Sequence, residues 1–448
     1  MKKRTLVEKK EIASQKEKEY YCQRLTKMIQ CQTVSSKVEF PVEEFLKLRT
    51  VIAELFPTVS EKAQIQYFGE DCYVYCIQGK DTTKNVMLMS HHDVVAAEGE
   101  WKYSPFSGII ADDCIWGRGT VDTKTPLFAE FSALEELLLG NWIPPCNVYL
   151  VSSHNEEIAG NGVPLVLKWL EETGKTFEWI LDEGGAVIDP PMSGISCKCA
   201  MLAVHEKGRY TVRMKAKQAA GHSSLTKQGN SPAVRIANFI TKVEKEQPFL
   251  RKMHPEVKAM FEGLAPYMNF PMRFVFKNMW CFSGILTRII PSLNASADSM
   301  LGTTCTFKNI NSASNGDCTV EVFFRCINEE DLQKDLGMFY QIAKEYDIEL
   351  EEVVENEYHK PASLTSKGYQ YIKSIVEKEF DYAACAAFIL PAGTDARHFS
   401  NLSDAVIRFA PIDINNQQYG SVHNMDENIG TDAVVRAVKF YRELLKNI

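Results

Sequence analysis

The sequence of 448 residues lacks an excess of basic charge, and it lacks long apolar runs. Its 50 Lys and Arg residues stand against 58 Asp and Glu residues, which gives a formal net charge of −8. Because nucleic-acid-binding proteins usually present a basic surface, this balance predicts no nucleic-acid partner. No stretch approaches the roughly 18 consecutive apolar residues of a transmembrane helix, so we expect no membrane partner either.

Paired cysteine motifs are also missing. The 13 cysteines include no C-x-x-C pair, the spacing typical of thiolate metal sites and redox motifs. An odd cysteine count in a long chain favours a reduced protein whose thiols pack as small buried groups. The basic start MKKRTLVEKKEIASQKEKEYY has no apolar core behind it, unlike a secretory signal. These features predict a cytoplasmic protein.

Short apolar runs alternate with helical patterns from about Val86 onward. Four runs are typical of strands buried on both faces, and they lie at 86–89, 148–151, 179–181 and 405–409. A helix is predicted between Thr125 and Gly140, because Thr-Pro is a common start and Gly a common end. Strands that alternate with helices indicate an α/β fold with a mostly parallel sheet covered on both faces.

The middle of the chain contains one-sided strands instead. Between Arg209 and Ala216, apolar residues alternate with Arg, Thr and Lys. The order strand-helix-strand-strand-helix-strand predicts an inserted α+β domain of the ferredoxin-like type. We place this domain at 207–358, between the two parts of the α/β domain at 1–206 and 359–448. Residues 247–298, rich in Phe, Met and Trp, exceed what the inserted domain needs.

Acids and histidines follow the predicted strands. The chain has only nine histidines, and the motifs SHHDVV, GRGTVD, SSHNEEIAG, LDEGG and SVHNMDENI place metal-binding side chains at strand ends or helix starts: His91, Asp93, Asp122, Glu156, Glu157, Asp182, Glu183 and His423. In open α/β sheets, ligands bind at the carboxyl ends of strands. Each residue alone has an ordinary interpretation, as a helix cap, a solvated acid or a loop histidine. Together they indicate a cation site, because adjacent buried carboxylates need a cation or a raised pKa.

A charge count favours two metal ions of zinc type. Two histidines and three acids match the nitrogen and oxygen ligands that zinc prefers. Two Zn²⁺ ions are neutralised by the carboxylates of Asp122, Glu157 and Glu183 together with one bridging hydroxide. Glu156 then remains free to act as a base. Asp93, two residues from His91, is suited to accept the second ring N–H of that histidine.

Eight motifs occur in order along the chain: HHDVV, WKYSPFSG, IWGRGTVDTK, SSHNEEIAGNG, DEGG, GHSS, GTDARHF and VHNMDENI. The series resembles the di-zinc metallopeptidase family that includes aminoacylase, glutamate carboxypeptidase, acetylornithine deacetylase and succinyl-diaminopimelate desuccinylase. WKYSPFSG with IWGRG, DEGG and GTDARHF are most similar to the carboxypeptidase S branch. The resemblance extends over about residues 85–448, although residues 247–298 show little of it.

The resemblance implies a metal role for five residues. His91 and Glu183 would hold one zinc ion, and Glu157 with His423 would hold the other. Asp122 would bridge both ions. Cobalt or manganese can substitute for zinc in such sites.

Catalytic and substrate roles follow from the same resemblance. Glu156 would be the general base and acid, with Asp93 behind His91. His222 of GHSS would stabilise the oxyanion, reaching the site from the partner subunit of a homodimer formed through the inserted domains. Substrate contacts are implied for Arg325, Asn311, Gly393 and Thr394. Asn315 is a rival to Asn311, because the Asn-x-x-Pro pattern of the family is replaced here by INSASN.

The implied activity is zinc-dependent hydrolysis of the amide bond next to a C-terminal carboxylate, in N-blocked peptides or N-acyl amino acids. Arg325 is the candidate carboxylate ligand, because a guanidinium binds a carboxylate through two hydrogen bonds. Three alternatives stay open: a dipeptidase or aminoacylase of the same family, the reverse condensation, and a non-catalytic metal-binding relative. The presence of Glu156 argues against the last. Residues 247–298 either fill a core, line an apolar acyl pocket or form a subunit contact.

Overall fold

The computed structural model describes residues 6–9, 13–218, 229–292 and 298–448. Sixteen strands are numbered here in chain order: β1 (Gln64–Phe68), β2 (Cys72–Ile77), β3 (Asp81–Met89), β4 (Ile109–Ala111), β5 (Cys114–Trp116), β6 (Cys146–Ser152), β7 (Ile180–Asp182), β8 (Val187–Ile188), β9 (Cys199–Glu206), β10 (Gly208–Ala216), β11 (Thr304–Ser312), β12 (Cys318–Cys326), β13 (Glu349–Glu357), β14 (Ala384–Leu390), β15 (Val406–Arg408) and β16 (Asn428–Gly430). The α-helices among these residues span Gln15–Ile29, Val42–Leu55, Pro57–Lys62, Lys124–Leu139, Gly162–Glu172, Pro232–Glu246, Pro255–Leu264, Phe270–Lys277, Met279–Ile289, Glu329–Glu345, Lys367–Glu379, Asn416–Gly420 and Thr431–Lys446.

A nine-stranded sheet forms the larger layer, in the order β1-β2-β6-β3-β7-β15-β9-β14, with β8 paired to β9. The neighbouring pairs β6–β3, β3–β7 and β7–β15 are parallel, and so is the pair β9–β14. The four apolar runs read from the sequence all form strands of this sheet, at β3, β6, β7 and β15. The prediction of a mostly parallel α/β sheet is therefore confirmed.

Helices cover this sheet on both faces. In β3, Val86 and Leu88 join the core on one face, under the helices Gln15–Ile29, Lys124–Leu139 and Thr431–Lys446. Met87 and Met89 join a second core on the other face, with residues of the helix Gly162–Glu172. Since successive side chains of a strand point to opposite faces, a strand covered on both sides must be apolar throughout.

A four-stranded antiparallel sheet has the order β11-β12-β10-β13. Its chain order, with the helices Pro232–Glu246 and Glu329–Glu345 between strands, is the ferredoxin-like arrangement predicted from the sequence. Asn328 caps the second helix, since its Oδ1 accepts the backbone N–H of Asp331 at 2.8 Å. Alternate residues of β10 and β12 pack against the two helices, which leaves the other face of this sheet open. The domain bounds at 207 and 358 stay a prediction.

The apolar segment at 247–298 does not fill the core of the four-stranded sheet. Its buried residues, including Met260, Phe261 and Phe276, pack with Ala384 and Ala386 of β14 at the edge of the large sheet. Of this segment, the core beneath the four-stranded sheet contains only Phe249 among the described residues. The interpretation of 247–298 as filling for the inserted domain is therefore wrong.

A separate three-stranded sheet, β16-β5-β4, joins the chain near residue 115 to the chain near residue 429. This pairing brings the GRGTVD turn next to the VHNMDENI segment. Among the described residues, no helix combines the length and the apolar character needed to cross a bilayer.

Candidate metal and catalytic site

The candidate site lies where the parallel strands of the large sheet end. His91 and Asp93 follow β3, Glu156 and Glu157 follow β6, and Glu183 follows β7. Parallel neighbours end at the same edge, so residues that are far apart in the chain converge there. Asp122 joins them at the start of the helix Lys124–Leu139, and His423 joins from the turn after the helix Asn416–Gly420.

Asp122 lies between the two histidines. Its Oδ1 is 3.0 Å from Nε2 of His91, and its Oδ2 is 3.1 Å from Nε2 of His423. Glu157 Oε2 is 3.0 Å from the same His423 nitrogen. Candidate ligand atoms of His91, Asp122 and Glu157 all lie within 4.8 Å of one another. One carboxylate shared by two histidines is the arrangement expected of a ligand that bridges two metal ions.

Burial disfavours the charged form of the three glutamates at the site. Burial raises the pKa of Glu183 well above its ordinary value, and the charges of Asp122 and Asp182 raise it further. The pKa values of Glu156 and Glu157 are also raised, mainly by burial. Cations relieve such a cluster, since crowded buried carboxylates otherwise resist ionisation.

The pKa values of the two histidines are raised as well, because neighbouring carboxylates favour the charged imidazole. Burial alone would lower the pKa of His91, but hydrogen bonds to Asp122 and Asp93 raise it well above its ordinary value. Hydrogen bonds to Asp122 and Glu157 raise the pKa of His423 to about 10. The donor set of imidazole and carboxylate suits zinc, cobalt or manganese.

Asp93 organises the Glu156–Glu157 turn. Its two carboxylate oxygens accept the backbone N–H groups of Glu156 and Glu157, each at 3.2 Å. One of these oxygens also lies 3.4 Å from Nδ1 of His91, while the backbone oxygen of Asp93 lies at 2.9 Å. Asp93 thus contacts His91 and both glutamates. Besides its predicted role as the hydrogen-bond partner of His91, it also holds the Glu156–Glu157 turn.

His423 has a backbone conformation that is rare for residues with a side chain. Its φ of 59° lies in the left-handed region, which most non-glycine residues avoid. Ala159, three residues after Glu156, has a φ of 49°. Such conformations concentrate at functional sites, where the surrounding structure holds them in place.

Glu427 is a residue of this site that sequence reasoning missed. It is fully buried, and its carboxylate accepts the backbone N–H groups of Gly119, Val121 and Asp122 at 3.0, 2.7 and 3.1 Å. Arg118 Nη1 donates to it at 2.7 Å. Glu427 therefore holds the turn that presents Asp122. The available signal was its position in VHNMDENI, four residues after His423.

The GTDARHF loop is held by buried carboxylates in the same way. Asp182 Oδ2 accepts the backbone N–H of Ala396 at 2.8 Å. Glu206 accepts both the backbone N–H and the hydroxyl of Thr394, at 2.8 and 2.9 Å, and also pairs with Arg408. The Thr394 hydroxyl is thus engaged with Glu206, and the predicted substrate contact of Thr394 stays a prediction.

A cavity of about 550 Å³ opens beside the metal-binding residues. Glu156, Glu157 and His423 line one wall, Gly393 lines another, and Arg325 of β12 faces them from the four-stranded sheet. Lys37 and Arg209, which sequence reasoning did not assign to the site, also line it.

The remaining predicted contacts are placed elsewhere. Asn311 is exposed on β11 and donates to the backbone oxygen of Asn309 at 3.0 Å, and Asn315 is exposed and donates to Asp317 at 3.0 Å. Neither asparagine lines the cavity among the described residues. His222 lies outside the described residues, so its role stays a prediction.

Comparison with known proteins adds sequence relatives along most of the chain. The model of the Peptidase family M20/M25/M40 matches residues 87–447. The chain is 28% identical over 443 residues to "Probable carboxypeptidase S-like 2" of Dictyostelium discoideum, covering 95% of this chain and 84% of that protein. It is 30% identical over 448 residues to the N-fatty-acyl-amino acid synthase/hydrolase PM20D1 of Xenopus tropicalis, covering 97% of this chain and 87% of that protein.

Solved structures share the fold. An M20 family metallo-carboxypeptidase of Sulfolobus solfataricus superposes with a TM-score of 0.67 at 17% identity, covering 95% of this chain and 98% of that one. A Bacillus subtilis protein described as a dinuclear metal-binding peptidase of the M20 family superposes with a TM-score of 0.59 at 12% identity, covering 96% and 100%.

Replacing Glu427 tests whether the buried ion pair supports the metal site. Glu427→Gln leaves Arg118 buried without its charge partner, so we expect the free energy of unfolding to fall by about 3–5 kcal/mol. Metal affinity should fall as well, because Asp122 loses its fixed turn. Glu330→Gln is the matched control: its ion pair with Lys334 is exposed, so its loss should change the free energy of unfolding far less. Denaturant titration and metal titration would measure both, and equal effects of the two substitutions would contradict the prediction.

Replacing His423 tests the division of ligands between two ions. We expect His423→Ala to bind about one metal ion per chain where the unchanged protein binds about two, because the ion shared with Glu157 loses its only histidine. Elemental analysis of the purified proteins measures the ratio. His254→Ala, at a buried histidine paired with Asp331, is the control. An unchanged metal content in His423→Ala would remove this residue from the site.

Proposed function

The chain belongs to peptidase family M20/M25/M40, and we propose that it is a two-metal amide hydrolase that acts next to a free carboxylate. The observation that carries this proposal is a cavity lined by Glu156, Arg325 and His423, in which His423 shares the carboxylate of Asp122 with His91. The proposed base and the arginine proposed to bind the substrate carboxylate thus line the same cavity, as cleavage of a terminal amide bond requires.

Glu156 is the proposed proton carrier. Two bound metal ions would lower the pKa of a water molecule and polarise the substrate carbonyl. Glu156 takes the proton of that water and later passes it to the leaving amine. Burial raises the pKa of Glu156, which brings it nearer to the range in which one group both accepts and donates a proton. Arg397 Nη1 lies 3.9 Å from Oε1 of Glu156 and opposes that shift.

N-acyl amino acids are the proposed substrate class. The similar Dictyostelium protein is named as a carboxypeptidase type and the similar Xenopus protein as an N-fatty-acyl-amino acid type. A substrate of either type has a carboxylate beside the amide bond. Dipeptides are the second candidate, since the same residues would serve them. Condensation of an acyl group with an amino acid is the reverse of the proposed reaction and uses the same groups.

The free state of all 13 cysteines supports a reducing, cytoplasmic location.

The substrate proposal is tested by the dependence of activity on acyl length. If apolar residues of 247–298 contribute to an acyl pocket, kcat/KM should rise from N-acetyl to N-dodecanoyl amino acids, because each buried methylene contributes about 0.8 kcal/mol. A flat profile would exclude an acyl pocket. Faster cleavage of dipeptides than of every N-acyl amino acid would instead favour the dipeptidase.

Replacing the base should separate chemistry from binding. We expect Glu156→Gln to keep its fold and its metal content but to lose at least about a hundredfold in kcat, because an amide cannot carry the proton. Glu171→Gln, at an exposed helix position, is the control. Turnover and metal content are measured on the same preparations, and a near-normal kcat would show that Glu156 is not the base.

A homodimer with shared sites is the proposed assembly. His222 is expected to reach the site of the partner subunit, so neither a Glu156→Gln dimer nor a His222→Ala dimer should be active. Mixed dimers of the two variants should regain activity, because one of their two sites contains both intact groups. Activity is measured after co-expression with two different affinity tags. Tagged mixed dimers without activity would place His222 in its own subunit or outside the reaction.

A further inference from the structure

Arg209 and Arg325 face each other across two strands. They are direct partners in the antiparallel pairing of β10 with β12, and both line the cavity that contains Glu156 and His423. Both are placed on the open face of the four-stranded sheet, since their neighbours Tyr210 and Phe324 point into its core. Like charges directly opposite each other on a sheet are destabilising, so this pair has a cost that the fold does not require.

Neighbouring carboxylates do not fully compensate this charge. Glu355 Oε1 lies 3.8 Å from Nη1 of Arg209, too far for a direct hydrogen bond. Among the described residues, no carboxylate forms an ion pair with Arg325. The buried Nε of Arg209 and the buried Nη1 of Arg325 also have no hydrogen-bond acceptor within the described part of the chain, and buried donors without acceptors cost free energy.

Arg213 shows that this strand can satisfy an arginine on the same face. Arg213 lies on β10, four residues after Arg209. Its guanidinium donates to Glu352 at 2.6 Å and to Glu321 at 2.7 Å. Arg209 and Arg325 are therefore exceptions on a surface that otherwise pairs its charges. Burial lowers the pKa of Arg325, and the charge of Arg209 lowers it further although Glu355 opposes this shift, as expected for two cations close together.

Gly393 keeps the space beside Arg209 open. A Cβ atom at Gly393 would lie 3.1 Å from Nη2 of Arg209 and 3.4 Å from Glu206. A side chain at this position would therefore crowd the guanidinium on the side that faces the GTDARHF loop. The loop and the two arginines leave a polar recess that is open to the cavity.

We propose that Arg209 and Arg325 together form the carboxylate-binding subsite of the cavity, with Arg209 as a specificity-determining residue. A substrate carboxylate bound between the two guanidinium groups would supply the acceptor that Arg209 Nε and Arg325 Nη1 lack in the described part of the chain. Each guanidinium offers a planar pair of donors to that carboxylate. The subsite therefore selects substrates with a free carboxylate over the corresponding amides. This inference rests on the proposed hydrolase function.

The test compares N-decanoyl-leucine with its primary amide, N-decanoyl-leucinamide, in the metal-loaded protein. For Arg209→Gln we expect KM for the carboxylate substrate to rise roughly ten- to a hundredfold, the range expected when a charged hydrogen bond is lost. Kinetics on the amide should change less than about twofold, because the amide has no charge to lose. Arg209→Lys should lie between, since it keeps the charge but not the planar pair of donors.

Arg213→Gln is the matched control, because it removes an arginine from the same strand and face but from outside the cavity. It should leave the preference for the carboxylate unchanged. The melting temperature adds a readout that separates binding from structure: removing Arg209 relieves repulsion with Arg325, so Arg209→Gln should not lower it. Equal losses on both substrates, or a retained preference for the carboxylate, would overturn the proposal.

Binding measurements keep this inference separate from the proposed reaction. If the unchanged protein cleaves neither compound, the proposed function fails for this substrate. Calorimetric titration of the Glu156→Gln protein with N-decanoyl-leucine and with the amide then decides the subsite alone. The subsite is supported if Glu156→Gln binds the carboxylate more tightly than the amide and Glu156→Gln/Arg209→Gln does not. It is excluded if each of the two proteins binds the carboxylate and the amide with equal affinity.

Discussion

Repulsion among buried carboxylates at one sheet edge is the constraint on which this structure depends. Asp122, Glu157 and Glu183 converge with Glu156 because the ends of β6 and β7 and the start of the helix Lys124–Leu139 meet at the same edge. Burial raises the pKa of the three glutamates, so positive charge between the members is needed to keep all of them ionised. His91 and His423 meet this need in part, and a pair of divalent cations would meet it fully.

The surroundings of the cluster are built to hold its members against that repulsion. Asp93 binds the Glu156–Glu157 turn through two backbone N–H groups. Glu427 binds the turn before Asp122 through three, and its own charge is balanced by Arg118. Further buried carboxylates therefore serve as hydrogen-bond acceptors for the backbone, and each is satisfied locally. Such support fixes ligand geometry before a metal ion binds.

The four-stranded sheet supplies charge of the opposite sign. Its covered face packs on two helices, so its open face can present polar side chains to the cavity. Arg209 and Arg325 occupy that face opposite Glu156. The candidate metal site and the proposed carboxylate subsite are thus contributed by different sheets, and a substrate that carries a carboxylate beside an amide bond would span the two.

The apolar segment after residue 247 has a structural part and an uncovered part. Met260, Phe261 and Phe276 extend the core at the edge of the large sheet. Phe270, Phe274 and Trp280 remain exposed, with 68%, 52% and 78% of their surfaces accessible. The same composition therefore fulfils two different roles within about 20 residues, and amino-acid content alone does not distinguish them.

Local pattern determined much of this protein. Continuous apolar runs identified β3, β6, β7 and β15, because a strand covered on both faces cannot contain polar residues. Alternating patterns identified β10 and β12, and Asn328 identified a helix start through its side-chain cap. The ordered motifs identified the family and the residues that meet at the sheet edge, since most of those residues follow a strand or precede a helix that can be recognised locally.

Tertiary structure alone decided what depends on contacts between distant segments. Glu427 acts on residues 118–122, more than 300 positions away, through a sheet that joins β5 to β16. Arg209 faces Arg325 only because of the register between β10 and β12, and a shift of one residue would turn each side chain to the other face. The helices Pro255–Leu264 and Phe270–Lys277 pack at the edge of the large sheet rather than on the small one, although both cores are apolar. Apolar burial has no direction of its own, so the choice between two cores is made by the shapes that the completed sheets present.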